Sequence, residues 1–422
     1  MSETKKDNFL RASTILFFLN ISASALNYLC QLLMARLLSV ESYGTINTIF
    51  SFMMIVAVPG TTLTMVVAKH YASYDGTNDR VYLWRQLKVV IVLTLISLCI
   101  LVAIKPLLAK ILDIDDIVVL AFMFLLASLG FFQPLYSGVF SGCKKFILVG
   151  IYSMIIPIYK IAAIGVANFN TDQDKQRLYI TLFVMLIGTV ITALLGHYMA
   201  IKILKRTSDS AKKLGKLYSK NDIQVLVLNI SLMLYMNVDL LSVRYYGNTR
   251  ESGLYSAVLL FGRIIYYFAT TLGTVLLPSV ADNELSAKQR MKTLNKSLTL
   301  MIAFTCLCMI PINAFKDFFI RILYGKDYFD ARDYVFLVTA ISLALSICTI
   351  LVNYVVGVGK TQKAMFVMLL VDGVIMLFFM VLKNVMHILK GIATAGLVGA
   401  IVMYFLIYKI MYSKSKMSER SE

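Results

Sequence analysis

Charge is scarce in this chain of 422 residues: only 15% are Asp, Glu, Lys or Arg, against about 25% in soluble domains. That shortage excludes an ordinary water-soluble protein. Six cysteines, Cys30, Cys99, Cys143, Cys306, Cys308 and Cys348, lie mostly inside apolar runs without a CxxC pair or ligand spacing. They read as small packing residues rather than a thiol cluster. His70, His197 and His387 are too far apart to form a metal motif, so no metal is expected. No Ser-His-Asp set, paired carboxylates or HExxH appears. The longest external connection, about 105–116, leaves catalysis little room, and the chain is not expected to be an enzyme. Val356-Gly357-Val358-Gly359-Lys360-Thr361 has the end of a phosphate loop, but Tyr354 stands where its first glycine belongs, which excludes a P-loop ATPase.

What is abundant is apolar: 59% hydrophobic residues and a mean hydropathy of +0.78. Stretches of about 20 such residues span a hydrocarbon core of about 30 Å as helices. Twelve are expected, near 12–35, 45–68, 87–104, 117–140, 146–168, 178–201, 223–243, 254–280, 297–315, 334–356, 363–382 and 391–411. The run after the polar stretch Met1 to Arg11 is too long for a signal-peptide core and is read as the first span. The Asn20-Ile21-Ser22 sequon falls inside it and would not be glycosylated.

Placing both termini in the cytoplasm puts most of the 41 Lys and Arg residues in cytoplasmic segments, as the positive-inside rule favours. The densest basic run, Lys205 to Lys216, falls between spans six and seven. The net charge of +18 therefore lies in juxtamembrane loops, where anionic lipid attracts it, and no nucleic-acid partner is expected. Two cytoplasmic loops, about 69–86 and 281–296, mix basic residues with Tyr82, Leu83 and Trp84. They read as interfacial helices or solvated linkers.

The chain is also written twice. Leu19-Asn20-Ile21-Ser22 recurs as Leu228-Asn229-Ile230-Ser231, 209 residues later, and Thr61-Thr62-Leu63 recurs as Thr270-Thr271-Leu272 at the same offset. Arg36 with Glu41-Ser42-Tyr43-Gly44 is echoed by Arg244 with Glu251-Ser252-Gly253-Leu254-Tyr255. Such order at nearly one offset marks a duplication. Six spans separate the copies, so both cross the membrane in the same direction, as parallel repeats do in transporters that rock one bundle against another. The expected fold is an all-α integral membrane protein of about 12 helices in two parallel six-helix lobes. Residues 1–204 form the first lobe, 205–221 a basic linker and 222–422 the second, with a cleft between lobes.

Polar residues at helical spacing mark candidate cavity faces. Span one carries Asn20, Ser24, Asn27 and Gln31; span four Gln133, Ser137 and Ser141; span eight Arg263, Tyr267, Thr270 and Thr274; span ten Thr339, Ser342, Ser346, Thr349 and Asn353. Small hydroxyl residues also serve as packing glue between membrane helices. Charges discriminate better, because an ionised group in a bilayer costs several kcal/mol unless it meets water or a partner. Lys160 and Arg263 both fall about 12 to 15 Å below the outer surface at about 1.5 Å per residue, a depth that permits a shared site. Arg36 and Arg244, at the outer ends of spans one and seven, can reach the interface and are weaker candidates. Asp239 and Asp372 either pair structurally with these cations or carry a coupling proton or Na⁺.

Ala35-Arg36-Leu37-Leu38-Ser39-Val40-Glu41-Ser42-Tyr43-Gly44 resembles the first-loop signature of bacterial polysaccharide repeat-unit flippases. These belong to the multidrug/oligosaccharidyl-lipid/polysaccharide (MOP) exporter superfamily. Asn237-Val238-Asp239 with Gly253-Leu254-Tyr255-Ser256, then Leu323 to Tyr328, then Gly391 to Gly399 follow in the family's order. The resemblance implies a V-shaped, two-lobed bundle in the bacterial cytoplasmic membrane. Its cargo would be an undecaprenyl-diphosphate-linked oligosaccharide, for O-antigen- or capsule-type polysaccharide. Lys160 and Arg263 would meet the diphosphate and the polar faces the sugars. No cofactor beyond a coupling ion is implied, and the partners are the lipid-linked oligosaccharide, anionic membrane lipids and other polysaccharide-assembly membrane proteins. Two departures stand out: span one has no charge before Arg36, and twelve spans are two fewer than peptidoglycan-precursor flippases usually carry. A cationic-drug antiporter is the rival reading, and its site should be acidic and aromatic. A glycan polymerase or ligase would need a large external loop.

Overall fold

The computed structural model describes residues 3–73, 80–204, 220–281 and 286–418, and every regular element among them is helical. Two compact units result, Met1–Leu217 and Tyr218–Glu422. The basic run Lys205 to Lys216 lies outside the described residues.

The first unit contains α1 (Glu3–Leu37), α2 (Val40–Val56), α3 (Val58–Ser73), α4 (Arg80–Ala103), α5 (Lys105–Leu112), α6 (Ile117–Leu129), α7 (Phe132–Gly142), α8 (Phe146–Asn170) and α9 (Asp174–Ile203). In the second unit, α10 (Lys220–Tyr246), α11 (Thr249–Ala281), α12 (Ala287–Ala314) and α13 (Lys316–Leu323) precede a 3-10 helix (Lys326–Asp333). α14 (Val335–Val358), α15 (Thr361–Val381) and α16 (Val385–Ser418) complete it. Among the described residues, 10 helices are long and apolar enough to cross a membrane, or 11 if α2 and α3, bent by 46° at Ala57, are one span. α1 is not among them, and its side chains before Phe18 lie outside the described residues. The expected twelve spans therefore stand at ten or eleven on this criterion.

The units repeat each other beyond the sequence marks. Each follows its third span with an eight-residue helix, α5 in the first and α13 in the second. Each also packs its second span closely on its fourth. A Cβ on Gly138 of α7 would stand 2.8 Å from the Thr64 carbonyl oxygen of α3. A Cβ on Gly262 of α11 would stand 2.1 Å from Ser342 Oγ of α14. Membrane helices associate through such close backbone approach because burial from lipid adds no hydrophobic gain.

The first-loop signature is a structural clamp. Ser39 caps α2, its hydroxyl accepting from Ser42 N–H at 3.1 Å. Asp174, at the start of α9, accepts from Ser39 N–H at 2.9 Å and from the Ser39 and Ser42 hydroxyls at 2.6 Å each. Arg177 donates to the Leu37 carbonyl at 3.1 Å. Beside this clamp Asp116 caps α6, accepts from Tyr179 and pairs with Lys175 at 3.0 Å. Burial works to raise the Asp116 carboxyl, but these bonds and two backbone N–H groups hold it down to about 2. Asp174→Ala is expected to cost about 1.5 to 3 kcal/mol, because a hydrogen bond to a charged acceptor is worth about that much. Unfolding of the detergent-solubilised protein measures it, with Ser42→Ala the milder comparison; an unchanged midpoint for Asp174→Ala would contradict the clamp.

Two expectations about loops are corrected. Within 69–86 and 281–296 no separate interfacial helix is described: α3, α4, α11 and α12 run on through the described parts. Tyr82 and Leu83 are buried in the cluster that also holds Tyr71 and Val139, whereas Trp84 is exposed. His70 stacks on Tyr82 at 3.5 Å. Among the described residues the connection 315–334, which holds α13 and the 3-10 helix, is longer than 105–116. There Phe329 is flanked by Arg321 at 4.8 Å and Arg332 at 4.4 Å.

Candidate functional site

In the first unit, α2 and α6 to α9 enclose a cavity of about 170 Å³, lined by Phe50, Gln133, Tyr159, Lys160, Thr189 and Thr192 together with apolar residues. Lys160 is half-buried, and its Nζ sits 4.2 Å from the centre of the Phe50 ring. A cation over an aromatic face gains about 0.5 to 2 kcal/mol, which offsets part of the cost of holding a charge at this depth. Tyr159 and Thr189 hydroxyls lie 3.4 Å apart, and Gln133 Nε2 donates to Ser137 Oγ at 3.2 Å. Gly188 lets α9 lie against the Tyr159 ring, since a Cβ there would be 2.4 Å from it. The result is a compact pocket with a cation, an amide, hydroxyls and aromatic faces. Sequence reasoning named Lys160 and Gln133 but missed Phe50, Tyr159, Thr189 and Thr192. Tyr159 adjoins Lys160, and Thr189 with Thr192 recurs at helical spacing on α9; those were the available signals.

The span-one residues behave differently from one another. Asn27 and Ser24 are exposed, and Arg36 is exposed at the end of α1. Gln31 is half-buried, and its Oε1 is enclosed without a hydrogen-bond partner, an acceptor that a donor would satisfy. The Asn20 side chain lies outside the described residues.

The second unit holds a ladder of polar contacts on α10. Ser231, Tyr235 and Asp239 recur every fourth residue and all are buried. Ser231 donates to Asp372 of α15. Tyr235 donates to the Ile392 carbonyl of α16 at 3.4 Å. Asp239 accepts from Tyr255 of α11 at 2.8 Å and from Leu240 N–H at 2.7 Å, and Arg263 lies within its electrostatic reach. The structure thus brings Asp239 and Arg263 into one neighbourhood and ties Asp372 to α10 at a different rung. Asp372 and Arg263 are half-buried, whereas Asp239 is only 3% exposed. Ser231, Tyr235 and Tyr255 escaped the sequence reading, although the 231–235–239 spacing was there to be read.

Other candidates in this unit have local roles. Arg244 is 2% exposed and donates to Ser252 Oγ at 3.2 Å. Tyr267 is exposed. Asn353 donates to its own helix at Thr349 O, 2.8 Å, and lies over Gly273 of α11. The polar face of span ten is buried: Thr339 and Thr349 return their hydroxyls to Val335 O and Leu345 O. Of the two readings of those hydroxyls, this burial fits packing glue between helices. Among the described residues no group of three or more His, Cys, Asp or Glu could hold a metal.

A family profile described as "Polysaccharide biosynthesis protein" matches residues 33–333. The chain belongs to that family. No curated protein matches the sequence significantly. Among solved structures, an inward-facing multidrug-resistance MATE transporter of the MOP superfamily superposes with a TM-score of 0.69 at 12% identity, covering 94% of this chain and 96% of the other. The lipid II flippase MurJ, in an inward closed conformation, reaches 0.69 at 15% identity and covers 94% and 87%. A MOP transporter from Pyrococcus furiosus reaches 0.61 at 13% identity and covers 96% and 95%. The protein is a multi-pass membrane protein, and its fold is the one these MOP-superfamily structures share.

Proposed function

We propose that the protein moves an undecaprenyl-diphosphate-linked oligosaccharide repeat unit across the bacterial cytoplasmic membrane by alternating access, both termini being cytoplasmic. The observation that carries this reading is Lys160 in a pocket of hydroxyl, amide and aromatic groups within a member of the polysaccharide biosynthesis family. A cation suits a phosphate, and polar groups beside aromatic faces suit a sugar. The lipid tail stays in the bilayer. Arg263 is a second candidate for the head group, and Asp372 the better candidate for a coupling proton or Na⁺, since it is less enclosed than Asp239. The lipid II flippase likeness supports lipid-linked cargo without naming the glycan.

Extrusion of cationic drugs is the rival. A lysine inside the pocket repels such cargo, and the Pyrococcus furiosus relative is itself described as having a binding pocket of reverse polarity that suggests a different function. The test is reconstitution. Proteoliposomes should move undecaprenyl-diphosphate-linked oligosaccharide between leaflets and leave a cationic dye untransported, and cells lacking the protein should accumulate the lipid-linked unit on the cytoplasmic leaflet. Dye transport without glycolipid translocation would overturn the proposal.

A further inference from the structure

The short helices α5 and α13 repeat each other residue by residue. Lys105 to Leu112 and Lys316 to Leu323 stand 211 residues apart; each opens on lysine, carries a basic residue sixth (Lys110, Arg321) and ends in Ile-Leu, and Leu107-Leu108 is answered by Phe318-Phe319. The break before each helix also falls at equivalent residues, Ile104 (φ −92°, ψ 10°) and Phe315 (φ −113°, ψ 29°). Burial follows the same plan. One side of each helix is buried, through Leu108 and Leu112 in α5 and through Ile320 in α13. Beside it runs an apolar row at i, i+3 and i+7, the spacing of one helix face: Ile104, Leu107 and Ile111 in α5, Phe315, Phe318 and Ile322 in α13. Leu107 is 56% exposed, Phe318 58% and Phe315 61%. Lys110 and Arg321, each three residues beyond the middle of its row, border it and are exposed.

The preceding spans set the depth of these rows. α4 has 24 residues and α12 has 28, about 36 and 42 Å at about 1.5 Å per residue, so each already covers a hydrocarbon core of about 30 Å. α5 and α13 therefore begin at head-group level. Their apolar rows continue the exposed apolar surface of those spans, Ile100 and Val102 on α4 and Leu307 and Ile310 on α12. We propose that α5 and α13 are a matched pair of interfacial helices, each with its apolar row in the boundary between head groups and acyl chains and its basic edge on lipid phosphate. An amphipathic helix of this kind sinks its apolar face about 5 to 10 Å into that boundary, and aromatic side chains favour the same level. Arg321 stacks on Phe329 at 4.8 Å, and a guanidinium held by its face keeps its N–H edge for phosphate. Asp317, the acid of α13, pairs with Arg332 at 4.0 Å. With both termini cytoplasmic, as in the function proposed above, the leaflet is the outer one, but the interfacial seating does not depend on the cargo. Each unit thus carries its own anchor, which fixes the depth of α4 in the first and of α12 in the second.

Trp84 is the single tryptophan of the chain, so Trp84→Phe gives a silent background in which Leu107→Trp and Phe318→Trp report depth in liposomes of phosphatidylcholine and phosphatidylglycerol. Phospholipids brominated near the top of the acyl chain should quench both about twofold more than lipids brominated near its end, the contrast expected of a ring about 5 to 10 Å into the boundary. Aqueous acrylamide should quench both far less than Lys326→Trp, an exposed position on the 3-10 helix. Ile104→Trp and Ile322→Trp repeat the measurement one turn away if either first variant fails to fold. Acrylamide quenching equal to that of Lys326→Trp in either helix would place its row in water and overturn the pair. So would strongest quenching by the deep bromines, which would make the short helix part of its span. Protection from acrylamide and from both lipids would mean that protein covers the row, and would overturn the proposal as well.

Discussion

Lys160→Gln is expected to reduce translocation of the lipid-linked oligosaccharide at least tenfold while leaving the amount of folded protein in the membrane unchanged. Gln keeps a polar end on a side chain one atom shorter and removes the charge. A hydrogen bond to a charged group is worth about 1.5 to 3 kcal/mol, and about 1.4 kcal/mol is a factor of ten in affinity. Lys160→Arg keeps the charge but brings a larger planar fork, and intermediate transport is expected. Phe50→Leu removes the ring under the ammonium and should cost less than loss of the charge itself. Initial rates in proteoliposomes, normalised to folded protein, measure all three. Full transport by Lys160→Gln would remove Lys160 from the substrate site. Loss of folded protein in proportion to loss of transport would make its role structural.

Lengths of apolar sequence foretold most of the spans, because a helix is what lets an apolar segment satisfy its backbone inside lipid. The doubled Leu-Asn-Ile-Ser falls in the first helix of each unit, α1 and α10. What sequence could not show was which face of each helix meets protein. In a soluble helix the polar side identifies solvent; here lipid and protein interior are equally apolar, so the periodic signal weakens. That is why Thr339 and Thr349 read as a cavity face yet prove buried. It is also why Arg244 read like Arg36, although Arg244 is enclosed and bonded to Ser252 and Arg36 is exposed. Lys160 was legible because a charge within a span is rare enough to need a reason. The Phe50 ring beneath it was not, since one phenylalanine among many carries no mark until α2 and α8 are brought together. The Ser39 and Ser42 clamp was likewise hidden, because its acceptor, Asp174, lies 132 to 135 residues away along the chain.

Asp239→Ala and Asp239→Asn are expected to behave very differently, and the contrast separates a structural carboxylate from a coupling one. Alanine leaves the Tyr255 hydroxyl and the Leu240 N–H without their acceptor and takes away the carboxylate within electrostatic reach of Arg263. A buried donor left without its acceptor costs about 1 to 3 kcal/mol, a sizeable share of the roughly 5 to 15 kcal/mol that holds a typical domain folded. Folded protein in the membrane should therefore fall sharply. Asparagine retains one oxygen, which can accept from Tyr255, and loses the charge and the second acceptor, so Asp239→Asn should fold better than Asp239→Ala and should translocate with its ion dependence intact. Asp239 is enclosed and fully engaged, which suits a fixed brace better than a group that must meet an ion. Asp372 is less enclosed and has Ser231 on a different helix as its donor; Asp372→Asn is the variant expected to flatten the dependence of transport on pH or Na⁺. Transport assayed across a proton gradient and a sodium gradient decides between them. If Asp239→Asn flattens the dependence and Asp372→Asn does not, the two roles are exchanged, and the buried Asp239–Tyr255 contact must open during the cycle to admit the ion.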